Sequence, residues 1–286
     1  MKKQIMILMI LLNGFENALN AQIMPPNNSP DPPPCPSGQF SDKVPVPYAY
    51  VREADLMWSK RIWRTIDLRE KINLPLYYPL DEDICQNSLW EVIKRSVLSG
   101  KIVAYGKPVL DDEFRDPLSV EDVAKIIYSD DTVHTVDPNT LEPMSMVVHM
   151  QITPDMIKRY WIKEDWFFDK ERSVMEVRIV GICPLIEKMD ETTGEFRSYM
   201  PLFWLYYNQC RPVFAKEPVL WWKGNMSAQP SLDEVFEKRI FSSFIHKESN
   251  VYNRMVIEYK QGIDALLESD KLKEDVFDLE QDMWHY

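Results

Sequence analysis

From Ser173 to Cys183 the chain alternates between two kinds of side chain with a period of two. Met175, Val177, Ile179 and Gly181 fall on one side, and Val174, Glu176, Arg178 and Val180 on the other. A stretch with that period, rich in β-branched residues, is a strand with one face on a core. The expected core side is Met175, Val177 and Ile179, with Glu176 and Arg178 facing water or a partner. Upstream, Trp166-Phe-Phe is aromatic and strand-prone. The Asp169-Lys170-Glu171-Arg172 run between them is too polar to bury and reads as a turn. Downstream, Asp190 to Gly194 is a second turn, in which Gly194 supplies a positive φ. Leu202-Phe-Trp-Leu-Tyr-Tyr207 is apolar or aromatic throughout, which predicts a strand covered on both faces. Ile162 to Tyr207 is therefore expected to be a three-stranded antiparallel meander. It contains no catalytic constellation.

The remaining segments predict helices around that meander. Trp58, Ile62 and Ile66 recur at i, i+4 and i+8, so a helix is expected over Ala54–Ile66, ending by Leu74 ahead of Pro75. Ser88-Leu-Trp-Glu91 and Ser231-Leu-Asp-Glu234 are capping boxes, and Ser119 to Asp122 is a further N-cap. The first of these helices should end at Gly100, and the second should bury Val235, Phe236, Ile240, Phe241 and Phe244. Ile102 to Tyr105 and Thr132 to Ile152 are strand-like, the latter with a turn at Asp137-Pro-Asn. Thr153-Pro-Asp should open another helix, and Arg211 to Pro230 reads as irregular. Val251–Glu268 and Asp270–Met283 read as two closing helices, the last strongly acidic. The expected class is α+β, an antiparallel meander flanked by several helices with a helical C-terminal region. Residues 48–286 are expected to form one folded domain. The likeness of Ser88–Ile93 to Ser231–Phe236 leaves open two lobes or merely a shared capping grammar.

The N-terminus has the form of an export signal. Lys2 and Lys3 precede the apolar run Ile5–Leu12, and Ala18-Leu-Asn-Ala21 offers a cleavage site before Gln22. That run is far shorter than the roughly 20 residues a bilayer span needs. Residues 22–47 carry prolines at 25, 26, 30, 32, 33, 34, 36, 45 and 47, the composition of an extended strap or spacer. The formal charge of −12 disfavours nucleic acid and anionic lipid as partners.

Chemistry is sparse. His134, His149, His246 and His285 have no metal-ligand spacing, and 8 glycines leave few loops that could cradle a cofactor. No nucleophile elbow or phosphate loop is present. No catalytic, cofactor-binding or metal-binding residue is therefore expected. The cysteines are 35, 85, 183 and 210. Cys183 and Cys210 flank neighbouring strands and could pair, with free buried thiols as the alternative. Acidic groups at Asp111–Glu113, Asp130-Asp131 and Glu164-Asp165 read either as solvated or ion-paired carboxylates, or as a glycosidase pair. Nine tryptophans suit a core, a protein interface or a sugar platform, with Trp221-Trp222 the candidate for exposure.

Several long blocks resemble one family. Trp63–Pro79, Ile162–Leu185, Leu202–Tyr207, Phe236–Arg254 and Asp278–Tyr286 are similar to the GldN/PorN family, the resemblance being concentrated in Trp166–Ile182 and Lys247–Tyr252. The resemblance implies a non-enzymatic structural role in the type IX secretion and gliding machinery of Bacteroidetes. Members form a periplasmic ring with an outer-membrane lipoprotein, GldK or PorK. The ring meets the periplasmic part of the motor component GldM or PorM. The implied location is the periplasm, peripheral to the outer membrane, with neighbouring copies as partners. A ring needs head-to-tail interfaces. Surface chemistry nominates Asp169, Lys170, Glu171, Arg172, Glu176 and Arg178 at the meander, Trp221 and Trp222, and Lys247, Glu248, Tyr252 and Arg254. The competing reading is a periplasmic glycan-binding or glycan-processing protein, based on the aromatic content and scattered carboxylates.

Overall fold

A seven-stranded antiparallel sheet carries the fold. The computed structural model describes residues 40–81, 86–136, 143–189, 196–220 and 229–283, all within one compact unit, Pro36–Tyr286. The export signal, the strap as far as residue 39, the turns at 137–142 and 190–195, Cys35, Cys85, Trp221, Trp222 and His285 lie outside the described residues. In chain order the elements are β1 (Leu56–Asp67), α1 (Leu74–Tyr77), α2 (Leu89–Leu98), β2 (Ala104–Tyr105), α3 (Val120–Ile127), β3 (Tyr128–Val136) and β4 (Pro143–Gln151). They continue with β5 (Ile157–Asp169), β6 (Val174–Met189), β7 (Phe196–Pro201), β8 (Trp204–Tyr206) and α4 (Tyr207–Phe214). The chain ends in α5 (Leu232–Glu237), β9 (Phe244–Glu248), α6 (Val256–Tyr259) and α7 (Ile263–Met283). The main sheet runs β2-β8-β6-β5-β1-β9, with β7 paired to the far end of β6, while β3 and β4 form a separate two-stranded ribbon.

The meander is the hairpin β5–β6 followed by β7 and β8, and the fold class is α+β as expected. Asp169 Oδ1 accepts from the amides of Glu171 (2.9 Å) and Arg172 (3.4 Å), which closes the turn that the polar run predicts. One detail differs. Lys163 pairs with Gly181 but Glu164 pairs with Ile179, so Val180 is an inserted residue. A bulge of one residue reverses the side-chain parity beyond it. Gly181 therefore lies on the opposite face from Ile179, against the simple alternation. A Cβ at Gly181 would sit 2.6 Å from Phe114 Cζ, so glycine lets that ring close over the strand.

β1 is a strand, not the expected helix. Residues spaced by four share one face of a strand as well as one stripe of a helix, so Trp58, Ile62 and Ile66 could not discriminate. Pairing decides: β1 lies between β5 and β9, which satisfy its backbone on both sides along the inner half. Pro75 sits in the first turn of α1 and starts that helix rather than ending one. Thr153-Pro-Asp yields only the 3-10 turn Pro154–Met156 before β5, and Thr153 makes no side-chain cap. Part of the stretch read as irregular is α4. Phe244 belongs to β9, not to α5, which ends at Glu237. The C-terminal helices divide at Gly262 (φ +59°), not at Ser269. The N-caps hold: Ser88 and Ser119 accept from the amides of Glu91 and Asp122, and Ser231–Glu234 makes both halves of its capping box, whereas the box expected at Ser88 lacks its second half because Glu91 turns to Lys94 at 2.6 Å.

The helices pack on one face of the sheet. Ile66, Tyr160, Ile162, Ile182 and Leu205 bury against Trp90 and Ile93 of α2, Phe214 of α4 and Phe236 of α5. At the β1–β9 end of the same face, α7 buries Leu272 and Val276 against Ile62 and Ile245. The other face carries a smaller aromatic cluster, Trp63, Cys183 and Trp204 with Tyr105, Phe114 and Trp161 around them. Cys183 lies in this cluster and Cys210 in the helix-side core, so the two are free buried thiols and not a disulfide. Burial pushes both thiols far up, which keeps them protonated and inert.

The chain ahead of β1 is anchored on the body. Phe40 is buried, Lys43 Nζ lies 2.7 Å from Glu234 Oε1, and Tyr48 donates its hydroxyl to Glu237 Oε1 at 2.6 Å. The guanidinium groups of Arg211 and Arg178 sit 4.4 and 5.2 Å from the centre of the Tyr48 ring. Arg178 also donates to Ala49 O. The start of β6, Val174 to Ile179, pairs only with β5, and this segment reaches it.

Candidate assembly surface

The richest exposed chemistry lies where β9 forms the sheet edge. β9 is bulged against β1: Trp63 pairs with Lys247 but Arg64 with Ile245. The bulge puts His246 and Lys247 together on the aromatic face. The His246 ring stacks on Trp161 at 5.1 Å between centroids, and its Nδ1 shares a 2.9 Å hydrogen bond with Thr65 Oγ1. Burial, reinforced by the neighbouring Lys247 cation, pushes its pKa down to about 3, so the ring is neutral at pH 7. Lys247 Nζ stands 4.4 Å from the centre of the Trp63 ring.

These side chains line a cleft between two loops, Pro108–Leu110 on one side and Asn253–Met255 on the other. Below it, Lys163 is 1% exposed and donates to Asp112 O at 2.6 Å, with Asp112 Oδ1 at 3.5 Å. Desolvation lowers its pKa, and Asp112 opposes that shift. Trp204 Nε1 donates to Pro108 O at 3.0 Å and so ties the first loop to the sheet. Trp63 lines the cleft, and its Nε1 is buried with no acceptor among the described residues. An unsatisfied donor of that kind costs about 1–3 kcal/mol, so it marks a place where an acceptor would be welcome.

Exposed apolar residues stand at the first lip of the cleft and just ahead of the second. Val109 is 63% and Leu110 86% exposed on the first, and Val251 is 98% and Tyr252 74% exposed on the loop leading into the second. Asn250 braces that loop, donating to Arg254 O (2.9 Å) and accepting from Arg254 N (3.0 Å). The Arg254 guanidinium lies 4.5 Å from the Tyr252 ring centre and 5.6 Å from that of Tyr259. Among the described residues, neither Lys247 nor Arg254 has a carboxylate within ion-pair distance.

The nominated residues divide into two groups. Lys247, Tyr252 and Arg254 come together at this corner, while Glu248 turns away to Lys60 at 2.5 Å. At the meander, Asp169 is buried as the turn cap, Arg172 pairs with Glu176, and Glu176 lies 3.3 Å from Arg178. Arg178 is committed to the Tyr48–Ala49 segment, which leaves Lys170, Glu171 and Arg172 as the exposed part of that group. Trp221 and Trp222 lie outside the described residues. The sequence reading did not nominate Trp63, His246, Val109 or Leu110. The apolar Val109-Leu110 pair beside Asp111-Asp112 was the one visible signal. Trp63 and His246 become neighbours only through the β1–β9 pairing.

The carboxylates of the Glu164-Asp165 pair are engaged structurally. Glu164 pairs with Arg239 at 2.8 Å and Asp165 with Arg61 at 2.6 Å, and as consecutive strand residues the two point to opposite faces. Among the described residues no three His, Cys, Asp or Glu side chains gather as a metal site, and no helix is long and apolar enough to cross a membrane. A comparison with curated proteins found no match. Residues 51–285 match the family model for gliding motility associated protein GldN, which spans nearly all of the folded region. The chain therefore belongs to the GldN family, a component family of the gliding-motility and type IX secretion machinery.

Proposed function

We propose that this protein is a non-enzymatic structural subunit of the type IX secretion system. It builds a periplasmic ring with an outer-membrane lipoprotein of the GldK/PorK kind and meets a motor component of the GldM/PorM kind. The observation that carries the reading is the family match across 51–285. Two features of the structure support it. The carboxylate pair Glu164–Asp165 is split between opposite faces and ion-paired, so it offers no glycosidase geometry. The second is a cleft with aromatic walls, exposed apolar residues at its rim, and two cations at or beside it, Lys247 and Arg254, that have no carboxylate partner among the described residues, the makeup of a protein contact.

The test is affinity purification of the tagged chain from gently solubilised outer membrane, followed by the native mass of the product. A megadalton-scale assembly containing an abundant lipoprotein is expected. A lone monomer, with tryptophan fluorescence that responds to sugars, would replace the ring with a glycan-binding protein.

A further inference from the structure

We propose that the C-terminal helix α7 of one copy docks on the Trp63–Lys247 cleft of the next copy, and that this is the repeating contact of the assembly. The proposal rests on the ring reading above and names the two surfaces that would build it.

The first surface is the outer side of α7. The helix buries Ser269, Leu272 and Val276 against the sheet, with Ser269 Oγ accepting from Ile245 N at 2.9 Å. It leaves Ile263, Leu266, Leu267 and Phe277 exposed. Ile263, Leu266, Asp270, Glu274 and Phe277 follow i, i+3, i+7, i+11 and i+14, a second stripe along the helix that is apolar at both ends and acidic in the middle. The helix carries eight carboxylates against two lysines. Among the described residues none of these carboxylates has a cation within ion-pair distance. An apolar stripe left outside a monomer marks a contact surface, and its acidic middle asks for cations.

The second surface has the complementary deficits. Among the described residues Lys247, which lines the cleft, and Arg254, on the loop beside it, have no carboxylate within ion-pair distance. Val109 and Leu110 on the first lip, and Val251 and Tyr252 on the loop leading into the second, supply exposed apolar area beside those cations. A helix that brings Leu266 and Phe277 to the lips would bring Asp270 and Glu274 to the cations between them.

The positions of the two surfaces determine the symmetry. Ile62 touches the α7 cluster and Trp63 belongs to the aromatic cluster, and consecutive strand residues face opposite ways. The helix and the cleft thus lie on opposite faces of one sheet, and neither can reach its complement within the same chain. A two-fold dimer through α7 would oppose acid to acid. The match can be satisfied only head to tail, the arrangement that gives rings when the rotation closes.

Two reversed variants test this. Lys247→Glu alters the cleft and leaves α7 intact, while Asp270→Lys combined with Glu274→Lys alters α7 and leaves the cleft intact. Asp270 and Glu274 are exposed and Lys247 is partly so, and circular dichroism checks that each variant keeps the fold. In sedimentation of the leaderless chain, or of the native assembly if the chain alone does not associate, each variant should lose association by about tenfold or more. Mixed one to one, the two variants should regain association, because the intact cleft of one meets the intact helix of the other and the two reversed surfaces are opposite in charge. Variants that assemble like the parent, or a mixture that stays monomeric, would overturn the contact. In cells, Leu110→Cys with Leu266→Cys should give a disulfide-linked ladder that neither single cysteine gives. A large lipoprotein-containing assembly without the ladder would sink this contact and leave the ring standing. A chain that purifies as a monomer would remove both.

Discussion

Mild acid should weaken this fold through His246. The imidazole is stacked on Trp161, bonded to Thr65 and placed beside Lys247. Desolvation, then the Lys247 charge, hold its pKa down at about 3 against an ordinary 6.5. The unfolded chain therefore binds a proton that the folded chain refuses. Stability then falls as pH drops below the unfolded value, and continues to fall until the folded value is reached. Between pH 7 and about pH 5.5 the loss depends almost wholly on the unfolded histidine, and at about 1.36 kcal/mol per pKa unit it comes to about 1.3 kcal/mol. The comparator is His246→Phe, which keeps a ring on Trp161 and cannot titrate. The lost bond to Thr65 lowers its stability equally at both pH values. Urea unfolding of both proteins at the two pH values isolates the difference. The parent should lose about 1.3 kcal/mol more than the variant. Equal losses would show that His246 accepts a proton in the folded state, and the account of a neutral, desolvated ring would be wrong.

Asp233→Ala should cost about 3 kcal/mol in urea unfolding, because it strands the buried Arg211 guanidinium, whose Nε donates to Asp233 Oδ1 at 3.0 Å. Glu237, 3.7 Å from that nitrogen, keeps the loss at the lower end of the range, and Arg211→Met with Asp233→Leu should recover most of it. Gly181→Ala drives a methyl group into the Phe114 ring and should cost about 1–3 kcal/mol, together with a changed near-ultraviolet circular dichroism from the aromatic face. Phe40→Ala should cost about 1.5–3 kcal/mol if the segment ahead of β1 is part of the folded body. An unchanged urea midpoint would make that segment a passive tether.

Several features could be read from local pattern alone. The polar turn at 169–172 and the serine caps at 88, 119 and 231 are set by contacts within a few residues and stand where they were expected, and the alternation holds from Val174 as far as Ile179. The blocks Trp63–Pro79 and Ile162–Leu185 already placed the chain in its family. Other features depend on what packs beside a segment, which no window of sequence contains. β1 carries a spacing that suits helix and strand alike, and its neighbours β5 and β9, roughly a hundred and two hundred residues further on in the chain, make it a strand. The inserted Val180 sends Gly181 to the other face and opens the place where Phe114 lies. At the assembly surface, Lys247, Tyr252 and Arg254 were legible because they are close in sequence and bear the right chemistry. The cleft they border was not, because Trp63, Trp161, His246 and Leu110 meet only when the sheet pairs and β9 bulges. Local hydrogen bonding and side-chain period were enough to mark strands, turns and caps. Which faces are covered, which donors stay unpaired and which cations find no carboxylate are sums over distant partners, and only the tertiary structure decides them.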